Sequence, residues 1–168
     1  MKSGLCSISF RKHDVEAVVE MAKGAGLDGI EWGGDVHVPP GDLERARSVR
    51  ETTEAAGLAI PSYGSYYRCN DATEPFGDVL DTARELGAPV IRVWAGGKGA
   101  ADASPEDRRD VAERLRRAVL AAAESDITVA LEYHGGTLTD SMESAHQLLR
   151  EVDRPELKLY WQPRTGGQ

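Results

Sequence analysis

Two patterns of hydrophobic and polar residues alternate along this chain. Short runs that are apolar or alternate with a period of two predict six β-strands. These strands span Leu5–Phe10, Gly29–Trp32, Leu58–Tyr63, Val90–Trp94, Thr128–Glu132 and Leu157–Trp161. Between the strands, apolar residues recur every three or four positions, which predicts five helices.

Capping residues support these helices, because short polar side chains can accept hydrogen bonds from the free N–H groups of a first turn. The predicted N-caps are Asp14, Asp42, a position near Thr73, Ser104 with Pro105 after it, and Asp140, which forms a capping-box-like pair with Glu143. Glycine residues at positions suited to a left-handed C-cap end the first three helices, at Gly26, Gly57 and Gly87.

Strands that alternate with helices predict a parallel sheet with helical crossovers. Two architectures fit this order, an open doubly wound sheet and a (β/α)8 barrel. On the fourth predicted strand, Ile91 and Val93 alternate with Arg92 and Trp94, so one strand face is apolar and the other ends in polar or aromatic groups. This pattern favours an α/β fold of the TIM-barrel type, with about the first six strands and five helices in one partial barrel domain over residues 1–168. The doubly wound sheet remains the alternative.

Composition excludes several classes of protein. The net charge of -8 disfavours binding to nucleic acid, which needs clustered basic residues. No apolar run reaches the length of about 20 residues that a membrane helix needs, and the N-terminus lacks a signal-peptide pattern. Two cysteines, Cys6 and Cys69, fit no metal-ligand spacing. We therefore expect a cytoplasmic protein with reduced thiols, no nucleic-acid partner and no membrane partner.

Polar and aromatic residues collect where the predicted strands end, which is where barrel enzymes carry their reactive groups. The candidates are Glu31, His37, Tyr63, Arg92, Trp94, Glu132, His134 and Gln162. Carboxylates, an amide and aromatic rings suit a pocket for a sugar. Each candidate also has a structural interpretation: Arg92 as an ion-pair partner, Tyr63 and Trp94 as core residues, and the histidines as loop residues.

The stretches GLDGIEW, VIRVWAG, VALEYHGGTLTD and LYWQP, together with the order of elements, resemble the xylose isomerase-like barrel superfamily. The resemblance implies that Glu132 binds a divalent metal (Mn, Mg, Co or Zn) and can act as a base. It implies that Gln162 replaces an Asp metal ligand, that Glu31 lines the substrate pocket, and that His134 is the histidine often found two residues after the metal-binding Glu. The implied His and Glu ligands on strands seven and eight lie beyond residue 168.

The resemblance implies a sugar or polyol isomerase or epimerase that transfers a proton next to a carbonyl with the help of the metal. Two alternatives are a dehydratase or lyase of the same superfamily and a non-catalytic protein that binds a sugar. Because the superfamily normally has eight βα units, we expect the chain to be a fragment that is inactive alone. If the short form is natural, its open strand edges would need a homo-oligomer to cover them.

Overall fold

Strands and helices alternate throughout the computed structural model, which describes residues 1–70 and 75–162. The strands are β1 (Gly4–Cys6), β2 (Gly29–Gly33), β3 (Tyr63–Gly64), β4 (Val90–Val93), β5 (Thr128–Leu131) and β6 (Lys158–Leu159). The helices are α1 (Val15–Gly24), α2 (Leu43–Ala55), α3 (Phe76–Leu86), α4 (Pro105–Ala123) and α5 (Met142–Val152).

The six strands form one sheet in the order β1-β2-β3-β4-β5-β6, and every neighbouring pair is parallel. Spatial order therefore follows chain order. A doubly wound sheet instead reverses its strand order at a switch point, so that alternative is wrong. The barrel-type arrangement is confirmed, and the carboxyl ends of all six strands meet at one edge of the sheet.

The two faces of the sheet have different environments, as the alternation predicts. Ile91, Val129 and Leu131 belong to the buried apolar cluster that includes residues of all five helices. On β2, the indole Nε1 of Trp32 donates to the hydroxyl of Thr53 on α2 at 3.1 Å. Side chains at alternate positions, including Glu31, consequently face the other side of the sheet, which is the barrel interior.

Every strand differs from its predicted bounds by at least one residue, β6 is reduced to Lys158–Leu159, and the first and third predicted strands also change in structure. Residues Ser7–Phe10 form a 3-10 helix instead of extending β1. In the predicted third strand, Ala59 forms an isolated bridge with Gly29, and regular pairing begins only at Tyr63. Pro61 lies between them and has no N–H to donate, which interrupts the hydrogen-bond ladder.

The helix caps follow the sequence signals with one correction. Asp14 and Asp42 accept hydrogen bonds from the first turns of α1 and α2, and Ser104 forms a capping box at the start of α4. The cap of α5 is Ser141, whereas the Asp140 carboxylate accepts from the backbone N–H of Ala100 at 2.9 Å. The predicted cap near Thr73 lies outside the described residues. In the described ranges no helix has the length and apolar character needed to cross a membrane.

Candidate functional site

Three charged side chains lie in a row across the interior at the carboxyl ends of the strands. Arg92 on β4 stands between Glu31 on β2 and Glu132, the residue after β5. Its Nε is 3.3 Å from Glu31 Oε1, and its Nη1 contacts Glu132 Oε2. The side chain of Arg92 is only 4% exposed, and those of Glu31 and Glu132 are 15% and 17% exposed. One guanidinium therefore neutralises much of the charge of two partly buried carboxylates.

Glu31 accepts hydrogen bonds from residues of three other strand regions. Its Oε2 accepts from the Ser62 hydroxyl at 2.6 Å and from the Tyr160 hydroxyl at 3.0 Å. Its Oε1 accepts from the Cys6 thiol at 3.2 Å, in addition to the contact with Arg92. Both oxygens thus have two partners each, which fixes the carboxylate in place.

Glu132 is held by donors on both of its oxygens. Its Oε2 also accepts from the indole Nε1 of Trp94 at 2.7 Å, and its Oε1 accepts from the amide of Gln162 at 3.1 Å. Burial alone would raise the pKa of Glu132. The charge of Arg92 and the donors Trp94 and Gln162 outweigh burial and lower that pKa, so Glu132 is ionised at neutral pH.

Arg92, Cys6 and Tyr160 keep their protons. Burial acts to lower the pKa of Arg92, but the charges of Glu31 and Glu132 raise it overall. Burial, followed by the nearby Glu31 charge, raises the pKa of the Cys6 thiol to about 12 and also raises the pKa of the Tyr160 phenol. Both groups consequently remain hydrogen-bond donors to Glu31.

Trp94 separates this charged interior from a more exposed rim. Its ring centroid lies 4.5 Å from that of His134 and 5.1 Å from that of Tyr66, and the Arg68 guanidinium carbon is 4.2 Å from it. His134 Nδ1 lies 2.7 Å from the carbonyl oxygen of Gly135. A carbonyl can only accept, so Nδ1 carries a hydrogen, and in neutral His134 Nε2 is left as the acceptor.

Gly64 on β3 makes room for the row of charges. A Cβ atom at this position would lie 2.8 Å from Arg92 Nη2 and 3.1 Å from Glu31 Oε1. Both distances are shorter than normal carbon contacts to nitrogen or oxygen. Because Gly64 pairs in register with Arg92, it occupies the inward position of β3 beside the guanidinium.

The structure brings together six of the eight predicted site residues: Glu31, Arg92, Trp94, Glu132, His134 and Gln162. Tyr63 does not reach them, because it pairs with Ile91 and shares its helix-facing side. The Tyr63 hydroxyl donates to the carbonyl of Val38 at 2.8 Å, and the side chain is fully buried.

His37 also lies away from the cluster. It is buried, its Nε2 is 3.0 Å from the carbonyl oxygen of His13, and its ring packs edge-on against Trp32 at 5.5 Å. Since Trp32 is on the helix-facing side of β2, we place His37 in the packing between sheet and helices. The structure therefore assigns Tyr63 and His37 to the core, and the prediction that they line the pocket has no support from their positions.

Several contributors to the cluster were not among the predicted site residues. Ser62 lies two residues before Gly64, and Tyr160 lies two residues before Gln162, so period-two alternation places each on the inward face. That signal was present in the sequence. Cys6 required the register of β1 against β2, in which Cys6 pairs with Glu31.

The described residues supply few metal ligands. Glu132 and Gln162 lie side by side, but they offer one carboxylate and one amide. In residues 1–70 and 75–162 no group of three or more His, Cys, Asp and Glu side chains could hold a metal ion. These residues alone do not fit a divalent-metal centre.

Comparison with known proteins places this geometry in context. The sequence profile of the family described as "Xylose isomerase-like TIM barrel" matches residues 19–163. A 3-dehydroshikimate dehydratase of Bacillus anthracis is 31% identical over 170 residues, covering 95% of this chain and 60% of that protein. The crystal structure of the probable 3-DHS dehydratase AsbF of B. anthracis, involved in petrobactin synthesis, matches with a TM-score of 0.81 and 30% identity over 95% of this chain and 62% of that one.

More distant structures share the fold. A D-psicose 3-epimerase solved in the presence of D-fructose has a TM-score of 0.73 at 14% identity, over 95% of this chain and 62% of that one. A xylose isomerase-like TIM barrel protein from Mycobacterium smegmatis, solved in complex with magnesium, has a TM-score of 0.72 at 17% identity, over 94% and 63%. The chain thus spans about three fifths of the length of the relatives it matches.

Proposed function

Because the chain belongs to the xylose isomerase-like TIM barrel family, we propose that its strand-end cluster removes a proton next to the carbonyl of a small polyhydroxylated substrate. We further propose that loss of water follows, which makes the whole protein a dehydratase for a cyclic hydroxyketone of the 3-dehydroshikimate class. The buried Glu31–Arg92–Glu132 row, with Trp94 and His134 at its mouth, is the observation that carries the proposal. The 31% identity with a 3-dehydroshikimate dehydratase supports dehydration over the other reactions.

The contacts suggest which residue removes the proton and which residue orients the substrate. Glu132 has a lowered pKa and already accepts hydrogen bonds from three side chains, so it is a weak base, but its ionised carboxylate has lone pairs left to accept from a substrate hydroxyl. His134 carries an acceptor at Nε2 at the rim of the same cluster. The sequence resemblance predicted Glu132 as the catalytic base; we instead assign proton removal to His134 Nε2 and substrate orientation to Glu132.

The proposed dehydration needs no added reagent, because one proton and the β-hydroxyl leave together as water. His134 Nε2 takes the proton next to the carbonyl, and the C–H electrons form a carbon–carbon double bond as the β-hydroxyl leaves. Protonated His134 returns the proton to this hydroxyl, which departs as water. In a 3-dehydroshikimate ring, enolisation then gives an aromatic dihydroxybenzoate.

A divalent cation remains the cofactor that the sequence resemblance predicts, with Glu132 and Gln162 as ligands. When bound, such an ion would polarise the carbonyl next to the reacting carbon. The described residues do not fit a metal centre on their own, and the proton transfer above uses only side chains of this chain.

The isomerase or epimerase predicted first from the sequence shares the initial proton transfer and differs only afterwards. In that case the proton would return to carbon and no water would be lost. A sugar-binding protein without turnover would use the same groups only to hold hydroxyls. The small polyhydroxylated ligand is common to all three proposals.

Turnover of 3-dehydroshikimate by the complete gene product tests the proposal, and the 168-residue chain is assayed beside it because we expect that form to be inactive. Aromatic ultraviolet absorbance should appear with the complete product. Glu132→Gln should lower kcat by about 100-fold or more, since it removes a positioned charge from the site. The control Glu44→Gln, at an exposed position on α2, should leave kcat unchanged.

Other results would redirect the proposal. Exchange of solvent deuterium into a ketose, without aromatic product, would establish an isomerase or epimerase. Saturable binding of 3-dehydroshikimate with neither reaction would establish the non-catalytic alternative.

A further inference from the structure

Arg68 lies at the mouth of the site in the segment that follows β3. Its guanidinium carbon is 4.2 Å from the ring centroid of Trp94. The Nε1 of the same indole donates to Glu132 at 2.7 Å. The cation is therefore one aromatic ring away from the Glu132 carboxylate, and His134 packs against that ring as well.

Other cations near the site already have anionic partners. Arg92 contacts both carboxylates of the buried row, Arg11 contacts Asp35, and Lys98 lies 2.8 Å from Asp107. Arg68 forms no ion pair with any acidic side chain in the part of the chain that the structure describes. It is half-buried against Trp94, so its position is restricted although no acid within residues 1–70 and 75–162 pairs with it.

Stacking leaves the hydrogen-bonding edge of a guanidinium available. An arginine over an indole uses its flat face for the cation–π contact, while its N–H groups point outward in the plane of the guanidinium. That planar fork matches the two oxygens of a carboxylate. Trp94 thus orients Arg68 for an anion.

The net charge of these 168 residues disfavours an anionic substrate. The chain has 28 acidic and 20 basic residues and a net charge of -8. Long-range electrostatics therefore repel a carboxylate, and the two acids of the buried row add to the repulsion. Arg68, which has no ion-pair partner among the described residues, offsets this effect at the rim.

We propose that Arg68 binds the anionic group of the substrate and so makes the site specific for carboxylate-bearing hydroxyketones. This inference rests on the proposed function and adds a specificity residue to it. Within the proposed substrate class, Arg68 would hold the ring carboxylate, while Glu132 and His134 face the hydroxyl and carbonyl side.

A pair of ligands that differ only in charge tests the assignment. Binding of 3,4-dihydroxybenzoate and of its neutral amide, 3,4-dihydroxybenzamide, to the complete gene product is measured by titration calorimetry. The wild-type protein should bind the acid about 10- to 100-fold more tightly than the amide, as expected for a charge-assisted bidentate pair. Arg68→Met keeps an unbranched side chain on Trp94 and should abolish this preference while leaving amide binding unchanged.

Two further variants separate charge from folding. Arg68→Lys should keep part of the preference, because it keeps the charge without the fork. Arg117→Met, at an exposed position on α4, should behave as wild type. Equal binding of acid and amide by the wild-type protein, binding of neither ligand, or a preference that survives Arg68→Met would each overturn the assignment.

Turnover and ligand preference, measured on the same protein, distinguish the role of Arg68 from the dehydratase activity. Aromatic product together with an acid preference that does not depend on Arg68 would leave dehydration intact and overturn the role of Arg68. Absence of aromatic product with an Arg68-dependent preference for the acid would refute dehydration and support the anion site. Preference for fructose 6-phosphate over fructose, lost in Arg68→Met, together with no preference for dihydroxybenzoate, would assign the anion to phosphate and overturn carboxylate specificity.

Discussion

Replacement of Arg92 by Met tests how the row of charges is held together. The substitution keeps an unbranched side chain of similar reach and removes the guanidinium between Glu31 and Glu132. Two partly buried carboxylates then face each other without the cation that now separates them. We expect a loss of stability and a reversal of its dependence on pH.

The magnitude follows from the contact distance. At 3.3 Å between Arg92 Nε and Glu31 Oε1, an effective dielectric constant of about 20 gives an attraction of about 5 kcal/mol. Desolvation of the ions offsets part of this attraction. Loss of one partner of a buried pair generally costs about 3–5 kcal/mol, because the remaining charge is left uncompensated, and we expect Arg92→Met to fall in that range.

The contribution of Glu132 to stability depends on pH with opposite signs in the wild-type protein and in Arg92→Met. In the wild-type protein the pKa of Glu132 is lowered, so its contribution to stability is present above about pH 4.3 and is lost as pH falls through the folded-state pKa. Without Arg92, burial becomes the dominant effect and raises that pKa. Stability should then decrease as pH rises from about 4.3 through the raised pKa, by up to about 1.4 kcal/mol for each unit of the shift.

Urea denaturation at pH 5 and pH 8 measures both effects. Arg47→Met is the matched control, since Arg47 forms a surface ion pair with Glu85 at 2.7 Å that is worth less than about 1 kcal/mol. If Arg92→Met costs no more than this control, Arg92 does not hold the two carboxylates together. If the variant is more stable at pH 8 than at pH 5, burial does not raise the pKa of Glu132 once Arg92 is gone.

Three other substitutions or reactions test separate parts of the structure. Gly64→Ala should cost about 1–3 kcal/mol in urea denaturation, because the new methyl would lie 2.8 Å from Arg92 Nη2; an unchanged midpoint would mean that the cluster has spare room. Cys6, with a pKa of about 12, should resist iodoacetamide at pH 8 in the native protein and react in urea, and rapid native labelling would contradict its buried contact with Glu31. Ser104→Ala should cost about 1 kcal/mol through loss of the capping box of α4, whereas Ser48→Ala, at an exposed position inside α2, should cost less.

Local patterns in the sequence were enough to predict the order of elements and the barrel-type sheet. Alternation of apolar and polar residues also placed Arg92, Glu132 and Gln162 on one face, since neighbouring side chains on a strand point in opposite directions. Tyr63 was predicted as a site residue from its place at the end of the third strand, but its pairing with Trp32 and Ile91 turns it toward the helices. A shift of one position turns a residue from the interior to the helix layer.

Contacts between distant residues were beyond what local patterns can predict. No short-range signal connects Arg68 with Trp94, or Cys6 with Glu31, because these pairs depend on strand register and on the path of a loop. The burial of His37 also depends on a tertiary contact that local patterns do not predict. Its place in a polar loop suggested exposure or a binding role, but the loop folds back and the ring packs on Trp32.

The hydrogen bond from Tyr160 to Glu31 has a consequence for folding kinetics. Sheet neighbours are also chain neighbours here, so each βα unit can add to the previous one through pairs that are closer in sequence than this bond, such as Val90 with Thr128. The Tyr160–Glu31 bond instead joins residues 129 positions apart. It can form only after the intervening strands have taken their places, so we expect it to be absent from the folding transition state. Its energy then acts on the rate at which the assembled sheet opens, and hardly on the rate at which that sheet forms.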